Sequence, residues 1–276
     1  MNKFKDLLIC TDLDGTLLNS KNEISRENLE AIEYFKHEGG YFTFITGRMP
    51  SFAGHIYDKV KPNAPIGCIN GGGVYDYETK KYLWTQPISD SVIELVEYID
   101  QNIDGMGIQV NTFDTVYFCA ENQAQGLFRK ITGLEKINKH YNDIKEPIAK
   151  IVFVDSTEEK MEKLAQLLCS HKRADEFRFV RSEKWLYEIL PKGISKAVVM
   201  PKIAQHLNIS PNNCIAIGDY NNDIQMVKDA KTGIAVANAV DELKAVADYI
   251  TVSNDDHAIA QVISDIEKGK IPIINS

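Results

Sequence analysis

LLICTDLDGT, residues 7–16, is an apolar run that ends in two carboxylates separated by one residue. The run is typical of a strand buried on both faces, and Asp12 and Asp14 follow it. Two carboxylates at the end of a buried strand are costly unless a cation or a proton neutralises them. A divalent metal would do so and would leave one carboxylate free to attack a phosphorus centre. The segment therefore predicts a buried strand that ends in a candidate phosphoryl-transfer site.

The chain is long enough for two domains and has the composition of a globular protein. Its 276 residues are 44% hydrophobic and 25% charged, with a formal net charge of -8. The acidic balance argues against a general nucleic-acid binder or membrane binder, and no apolar run approaches the ~18 residues that span a bilayer. The five cysteines are scattered without a C-x-x-C pair, which favours reduced thiols in a cytoplasmic protein. We expect a monomer or homodimer that acts on a small molecule, with no nucleic-acid or membrane partner.

Strand-like apolar runs alternate with helical patterns at the start of the chain. Three runs read as buried strands: Leu7–Cys10, Tyr41–Ile45 and Ile66–Ile69. Helical spacing follows the first run from Ser25, the predicted N-cap, and follows the second run near Ser51. This β-α-β-α-β order predicts a Rossmann-like α/β core, with a parallel sheet and helices on both faces.

The pattern changes in the middle of the chain. Residues 84–190 alternate like antiparallel strands, with amphipathic helices between them, and the earlier rhythm returns after Pro191. We therefore predict a catalytic core formed by residues 1–83 and 191–276. Residues 84–190 form an inserted α+β cap domain, which we expect to act as a lid that selects the substrate.

Candidate catalytic side chains follow several of the predicted strands. Asp12 and Asp14 come after the first strand, Thr46 after the second and Asp219 after a later one, and Lys196 begins the helix before that later strand. Ligands of open parallel sheets bind beyond the carboxyl ends of the strands. We therefore expect these side chains to meet at one edge of one sheet.

Each residue type at this edge has a chemical use in phosphoryl transfer. Asp12 and Asp219 offer carboxylates to Mg²⁺, which prefers hard oxygen ligands, and Asp14 offers its backbone carbonyl. Asp12 can attack the phosphorus to form an aspartyl-phosphate. Asp14 can protonate the leaving oxygen and later accept a proton from water. Thr46 can donate a hydrogen bond to a phosphate oxygen, and Lys196 adds positive charge where the transition state is negative.

Four further residues are candidates for binding the phosphate or the metal. The Gly47 amide and Arg48 are candidate phosphate contacts, Asn222 is a candidate phosphate ligand, and Asp223 is a candidate metal ligand. Asn222 and Asp223 are also candidates for holding the metal, its waters or Lys196 in position. Each has an ordinary structural alternative. Arg48 would serve equally as a salt-bridging surface residue, and Asn222 and Asp223 would cap the helix that begins there.

Four ordered segments carry a family resemblance: DLDGTL at 12–17, FITGR at 44–48, SK at 195–196 and GDYNND at 218–223. They resemble the four motifs of the haloacid dehalogenase-like (HAD) hydrolase superfamily. The insertion between the second and third motifs, with INGGG at 69–73 just before it, resembles the Cof-type branch, subclass IIB. The resemblance implies a Mg²⁺-dependent phosphatase acting mostly on sugar phosphates, nucleotides or related small metabolites. It also implies that Asp12 is the nucleophile and Asp14 the acid/base.

The resemblance extends to one loop and fails at two positions. Asn70 and the glycines after it resemble the family's substrate-facing loop, which implies that Asn70 hydrogen-bonds the leaving portion of the substrate. Ala197 stands where a glycine usually follows the lysine of the third motif. Pro201 falls inside the helix predicted after Ser195, where an interior proline costs ~3 kcal/mol unless the helix kinks or breaks. We therefore expect a kink that would bear on the position of Lys196.

Two other functions fit part of this pattern. A phosphomutase would use the same aspartyl-phosphate but would have to exclude water from it. A receiver-type phosphate sensor also groups acids, a threonine and a lysine around Mg²⁺, but it would be far shorter and would not need Asp14. The whole pattern favours a phosphatase of small phosphorylated metabolites.

Overall fold

A computed structural model describes residues 2–271, which form two compact units. The first unit contains the described residues up to Thr85 and from Ser195 onward, and the second unit is Gln86–Ile194. The insertion therefore begins at residue 86, where the sequence suggested 84, and ends at residue 194, where the sequence suggested 190.

Strands and helices alternate through both units. The strands are β1 (Leu8–Thr11), β2 (Tyr41–Phe44), β3 (Ile66–Cys68), β4 (Gly73–Asp76), β5 (Lys81–Thr85), β6 (Gly107–Thr112), β7 (Val116–Ala120), β8 (Ile137–Asn138), β9 (Ile148–Val154), β10 (Phe177–Glu183), β11 (Leu186–Pro191), β12 (Cys214–Gly218), β13 (Thr232–Ala235) and β14 (Tyr249–Ile250). The α-helices are α1 (Arg26–His37), α2 (Pro50–Val60), α3 (Val92–Asn102), α4 (Gln123–Thr132), α5 (Glu158–Ser170), α6 (Lys196–His206), α7 (Ile224–Asp229), α8 (Asp241–Lys244) and α9 (Ala258–Glu267).

The first unit is built on a parallel sheet in the order β14-β13-β12-β1-β2. Each neighbouring pair in this sheet is parallel. β1 lies between β12 and β2, so both of its edges are paired, and all four of its residues are buried. This position explains the continuous apolar run, because a strand covered on both faces has no side that favours polar residues. The predicted α/β core with a parallel sheet is confirmed.

The third predicted strand pairs differently from the expectation. β3 belongs to a separate three-stranded sheet in which it pairs antiparallel with β4, and β4 pairs antiparallel with β5. β3 meets the parallel sheet through one parallel bridge, between Ile45 and Gly67. The 3₁₀ turn Ile69–Gly71 returns the chain at once, and so short a connection joins antiparallel strands only. The run therefore continues the parallel sheet only through that bridge, and its other edge pairs antiparallel with β4.

The second unit is an α+β fold, as predicted. Its sheet has the order β10-β11-β9-β6-β7-β8. The neighbours are antiparallel except for β7 and β8. The buried residues of α3 and α5 pack with Ile108 and Val110 of β6 and with Ile148, Ile151 and Phe153 of β9 into one apolar core. Helix α4, which lies between β7 and β8, was not predicted from the sequence.

The sequence predicted the N-cap of α1 and a kink at the proline inside α6. The Ser25 hydroxyl accepts a hydrogen bond from the Asn28 N–H at 3.2 Å, so Ser25 is the N-cap of α1 as predicted. α6 runs from Lys196 to His206 with Pro201 inside it and without a break. The proline removes one helical hydrogen bond, but the helix continues to its end.

Two further predictions concerned the state of the cysteines and the absence of a membrane-spanning segment. All five cysteines are free thiols, and Cys10, Cys68 and Cys214 are buried core residues. Among residues 2–271, we find no helix with the length and apolar character needed to cross a membrane.

Candidate active site

Two acidic residues lie at the carboxyl ends of β1 and β12, which are neighbours in the parallel sheet. Thr11 lies opposite Ile217 in the register of these strands. The pairing extends one residue further, because the Asp12 N–H donates to the Ile217 carbonyl at 2.8 Å. Asp219 comes directly after β12. As a result, carboxylate oxygens of Asp12, Asp219 and Asp223 all lie within 4.8 Å of one another.

The ammonium group of Lys196 lies against two of these carboxylates. Its Nζ donates to Asp12 Oδ1 at 2.5 Å and to Asp223 Oδ1 at 2.6 Å, and the side chain is 1% exposed. Lys196 is the first residue of α6, so the start of this helix delivers the charge to the sheet edge.

Asp223 holds the loop after β12 in place. Its Oδ2 accepts from the N–H groups of Asp219 and Tyr220, at 3.1 and 3.3 Å. A Cβ added to Gly218 would lie 2.5 Å from the Asp223 Cβ, so this approach needs a glycine. Both oxygens of Asp223 are therefore engaged, one by Lys196 and the other by the loop. Asp223 therefore positions both Lys196 and the loop, and metal ligation by Asp223 stays a prediction.

Asp219 is held by the segment that follows β1. The Thr16 hydroxyl donates to Asp219 Oδ1 at 2.8 Å. Gly15 has a φ of +84°, and a Cβ there would lie 2.4 Å from Asp219 Oδ2. Sequence reasoning gave Thr16 no role. Its position in the sequence, two residues after Asp14, could have indicated this role, because the loop after β1 lies at the same sheet edge as the carboxylates.

The cluster carries more negative than positive charge. Three carboxylates and one ammonium give the cluster a formal charge of -2 when every group is ionised, and the ammonium pairs with two of the three carboxylates. Burial first, and the neighbouring Asp223 second, raise the pKa of Asp219 to about 6. Burial also raises the pKa of Asp12 against the opposing effect of Lys196. Burial lowers the pKa of Lys196, but its carboxylate partners outweigh that effect and hold it above the ordinary value. A site with these properties favours a bound cation.

The predicted phosphate-binding residues are connected to one another by hydrogen bonds within the first unit. Thr46 is buried two residues after the end of β2, and its hydroxyl accepts from the Arg48 N–H at 3.2 Å. Its carbonyl accepts from the Asn70 N–H at 3.0 Å. A Cβ on Gly47 would lie 2.9 Å from Asn70 Oδ1, and that oxygen accepts from Asn222 Nδ2 at 3.1 Å. Asn222 adjoins Asp223 in sequence and so connects this loop to the carboxylate cluster.

Asp14 stands apart from the three clustered carboxylates. Its side chain is 52% exposed, and Arg48 donates to both of its oxygens, from Nε at 3.0 Å and from Nη2 at 2.5 Å. The structure therefore gives Arg48 the salt-bridging role that the sequence left open. Metal ligation by the Asp14 backbone carbonyl stays a prediction.

The start of α6 is set by a close approach to the loop after β3. Gly71 has a φ of +98°, and a Cβ there would lie 2.0 Å from the Ser195 carbonyl oxygen. We expect Gly71→Ala to lower the free energy of unfolding by about 2–5 kcal/mol, from left-handed strain and overlap with backbone together. Urea unfolding of the intact chain measures this loss.

Gly269→Ala is the matched control for this variant. Gly269 has a φ of +69°, but among residues 2–271, its two chain neighbours aside, no atom lies within 4 Å of the added Cβ. It should cost only the left-handed strain, about 1 kcal/mol. Equal losses in the two variants would show that the approach of Gly71 to Ser195 has no energetic consequence.

The sequence and the fold are both similar to those of known proteins. The chain matches the haloacid dehalogenase-like hydrolase family over residues 9–263. It is 27% identical over 268 residues to the 5-amino-6-(5-phospho-D-ribitylamino)uracil phosphatase YitU of Bacillus subtilis, covering 95% of this chain and 97% of that protein. It is similar to the crystal structure of a haloacid dehalogenase-like hydrolase from Bacteroides thetaiotaomicron, with a TM-score of 0.84, 27% identity and coverage of 94% and 99%. It also shares the fold of the HAD subclass IIB sugar phosphatase BT4131, with a TM-score of 0.80, 19% identity and coverage of 94% and 98%. The resemblance drawn from the four motifs, and with it the HAD-type phosphatase class, is confirmed.

Proposed function

We propose that this chain, which belongs to the haloacid dehalogenase-like hydrolase family, is a Mg²⁺-dependent phosphatase that hydrolyses small phosphorylated metabolites through an aspartyl-phosphate. The observation that carries the proposal is the buried Lys196 ammonium, held by Asp12 and Asp223 in a cluster that includes Asp219. The cluster supplies a nucleophile, a fixed positive charge and carboxylates for a metal at one sheet edge.

The donor set of the cluster fits Mg²⁺. All three side chains offer hard oxygen ligands. Gly15 lacks the Cβ that would crowd Asp219 Oδ2 at 2.4 Å. We assign Asp12 and Asp219 as ligands, with the Asp14 carbonyl beside them, while Asp223 positions Lys196 and the loop. When bound, Mg²⁺ supplies charge that offsets the repulsion between a phosphate and Asp12.

The reaction then proceeds in two displacements. An oxygen of the Asp12 carboxylate forms a bond to phosphorus as the ester oxygen leaves, and Asp14 gives that oxygen a proton. Water next attacks the phosphorus of the aspartyl-phosphate, Asp14 takes a proton from that water, and Asp12 is released. Lys196 stabilises the charge on the phosphoryl oxygens in both steps, together with Thr46 and the Gly47 amide.

The substrate class rests on the family and on the names of relatives. Several relatives are named as phosphatases, and YitU is named for a phosphorylated ribitylaminouracil. We assign sugar phosphates and similar metabolites as substrates, with Asn70 and Asn222 as polar contacts. Screening the purified chain against such a panel, with that uracil compound included, identifies the substrate. That the inserted unit selects it, and that the protein works in the cytoplasm, stay predictions.

Phosphate release is expected to require Mg²⁺. Excess EDTA should lower the rate by about 100-fold or more, because Lys196 alone then offsets the repulsion of an anionic ester by the carboxylates. Asp219→Asn should raise the Mg²⁺ concentration for half-maximal activity about tenfold or more. Calorimetric titration with Mg²⁺ should show the same weakening without any substrate.

Asp229→Asn is the matched control for the metal. Asp229 ends α7 and accepts a hydrogen bond from Gln225 at 2.7 Å, away from the cluster. Its Mg²⁺ requirement should equal that of the wild type. A wild-type rate in EDTA would contradict the metal dependence. A requirement for a second sugar phosphate would favour a phosphomutase over a phosphatase.

A further inference from the structure

Arg48 makes a two-point contact with the carboxylate that the proposed function uses for proton transfer. Its Nε and Nη2 donate to the two oxygens of Asp14 at 3.0 and 2.5 Å. Across residues 2–271, no other hydrogen-bond donor reaches this carboxylate. The planar guanidinium matches both oxygens at once, so it defines the rotation of the carboxylate as well as its distance.

The backbone of Arg48 is itself held on both sides. Its N–H donates to the Thr46 hydroxyl at 3.2 Å, and its carbonyl accepts from the Ile69 N–H at 3.0 Å. Thr46 is 1% exposed and Ile69 is fully buried. The Arg48 side chain therefore extends toward Asp14 from a fixed backbone.

Asp14 needs such support because little else restrains it. Its side chain is 52% exposed, and an exposed carboxylate exchanges rotamers freely. Proton transfer requires the carboxyl oxygen to lie about 3 Å from the leaving oxygen. Each carboxylate oxygen has two lone-pair sites. The contact with Arg48 therefore leaves one site on each oxygen for a proton and for the substrate or water.

We propose that Arg48 is a positioning residue that orients Asp14 toward the leaving oxygen, and that it is not a phosphate ligand. This inference rests on the proposed function, and it replaces the phosphate contact that the sequence predicted. In the first displacement, Asp14 loses its proton to the ester oxygen as the oxygen–phosphorus bond breaks. Arg48 loses and gains no bond to the substrate in that step.

Two aryl phosphates separate positioning from phosphate binding. Phenyl phosphate has a poor leaving group that needs a proton, whereas 4-nitrophenyl phosphate has a similar size and a leaving group that departs without one. kcat/KM covers every step up to departure of the leaving group. Arg48→Gln should lower kcat/KM for phenyl phosphate about 10- to 100-fold, a part of the ~10²–10⁴-fold worth of a general acid. For 4-nitrophenyl phosphate the loss of kcat/KM should be about threefold or less, because its leaving group needs no proton from a general acid.

Companion variants test that Arg48 acts through Asp14. Asp14→Asn should show the same selective loss, larger in size, and Arg48→Gln in the Asp14→Asn background should add no further loss. Arg48→Lys keeps the charge without the two-point contact and should lie between wild type and Arg48→Gln. Arg26→Gln is the matched control, because Arg26 pairs with Glu30 on the exposed surface of α1, and both substrates should be unaffected.

The outcomes are distinguishable. Equal losses on both substrates, additive with Asp14→Asn and accompanied by weaker inhibition by inorganic phosphate, would overturn the inference and make Arg48 a phosphate ligand. A thermal midpoint for Arg48→Gln far below that of Arg26→Gln would also overturn it, by giving Arg48 a structural role. If the wild type hydrolyses neither ester with Mg²⁺, the proposed function fails, and this inference fails with it.

Discussion

Asp12→Asn is expected to lower the rate of phosphate release by about 10⁴-fold or more, the scale seen when an enzyme loses its nucleophile. The amide keeps the shape of the side chain but has no carboxylate to bond to phosphorus. It also removes one of the two carboxylates that we assign to Mg²⁺. Initial rates with the best substrate of the panel, at saturating Mg²⁺, measure the loss.

The same variant should remain folded. Burial, together with Asp223 and Asp219, makes ionised Asp12 unfavourable and raises its pKa. The neutral amide removes this repulsion, and its oxygen can still accept the hydrogen bond from Lys196. We expect a metal-free melting temperature at or above that of the wild type. A variant that keeps the wild-type rate, or that loses activity only because it unfolds, would contradict the role of Asp12 as nucleophile.

Lys196→Met is expected to damage both stability and activity. The methionine fills similar space but leaves the buried carboxylates of Asp12 and Asp223 without their shared partner. Removing one member of a buried ion pair typically costs about 3–5 kcal/mol. The loss of a fixed donor to the phosphoryl oxygens should lower the rate by about 10³-fold. Urea unfolding and initial rates measure the two effects.

Lys202→Met is the matched control on the same helix. Lys202 Nζ lies 4.1 Å from the centroid of the Trp84 ring, a surface contact outside the carboxylate cluster. Loss of this contact should cost about 0.5–1 kcal/mol, and the rate should be that of the wild type. Equal stability of Lys196→Met and Lys202→Met would show that the buried lysine does not offset the charge of the cluster.

The sheet and the carboxylate cluster were accessible from the sequence because both follow from local pattern. A strand paired on both edges and covered on both faces is an apolar run, as in β1, and parallel strands place their carboxyl ends at one edge. Asp12 and Asp219 could therefore be placed together although they are far apart in sequence. Lys196 could be placed with them because it begins the helix before β12.

Other features depend on partners that no local pattern specifies. The apolar run of β3 does not state which strand it pairs with, and the tight return at Ile69–Gly71 decided the outcome. The contact of Arg48 with Asp14 depends on the direction of the turn after β2. Two hydrogen bonds fix that direction, one from the Arg48 N–H to the Thr46 hydroxyl and one from the Ile69 N–H to the Arg48 carbonyl. α9 is a different case, because Ile259, Val262, Ile263 and Ile266 have helical spacing. That helix was present in the sequence and was missed.

A crystal structure with Mg²⁺ and beryllium fluoride, a mimic of the phosphoryl group, tests directly whether Asp12 receives the phosphoryl group beside a shared metal. We expect the fluoride adduct bonded to the Asp12 carboxylate, with one Mg²⁺ held by Asp12 and Asp219 at ~2.1 Å. An adduct on another residue, or carboxyls of Asp12 and Asp219 more than ~10 Å apart and so too distant to share an ion, would contradict it.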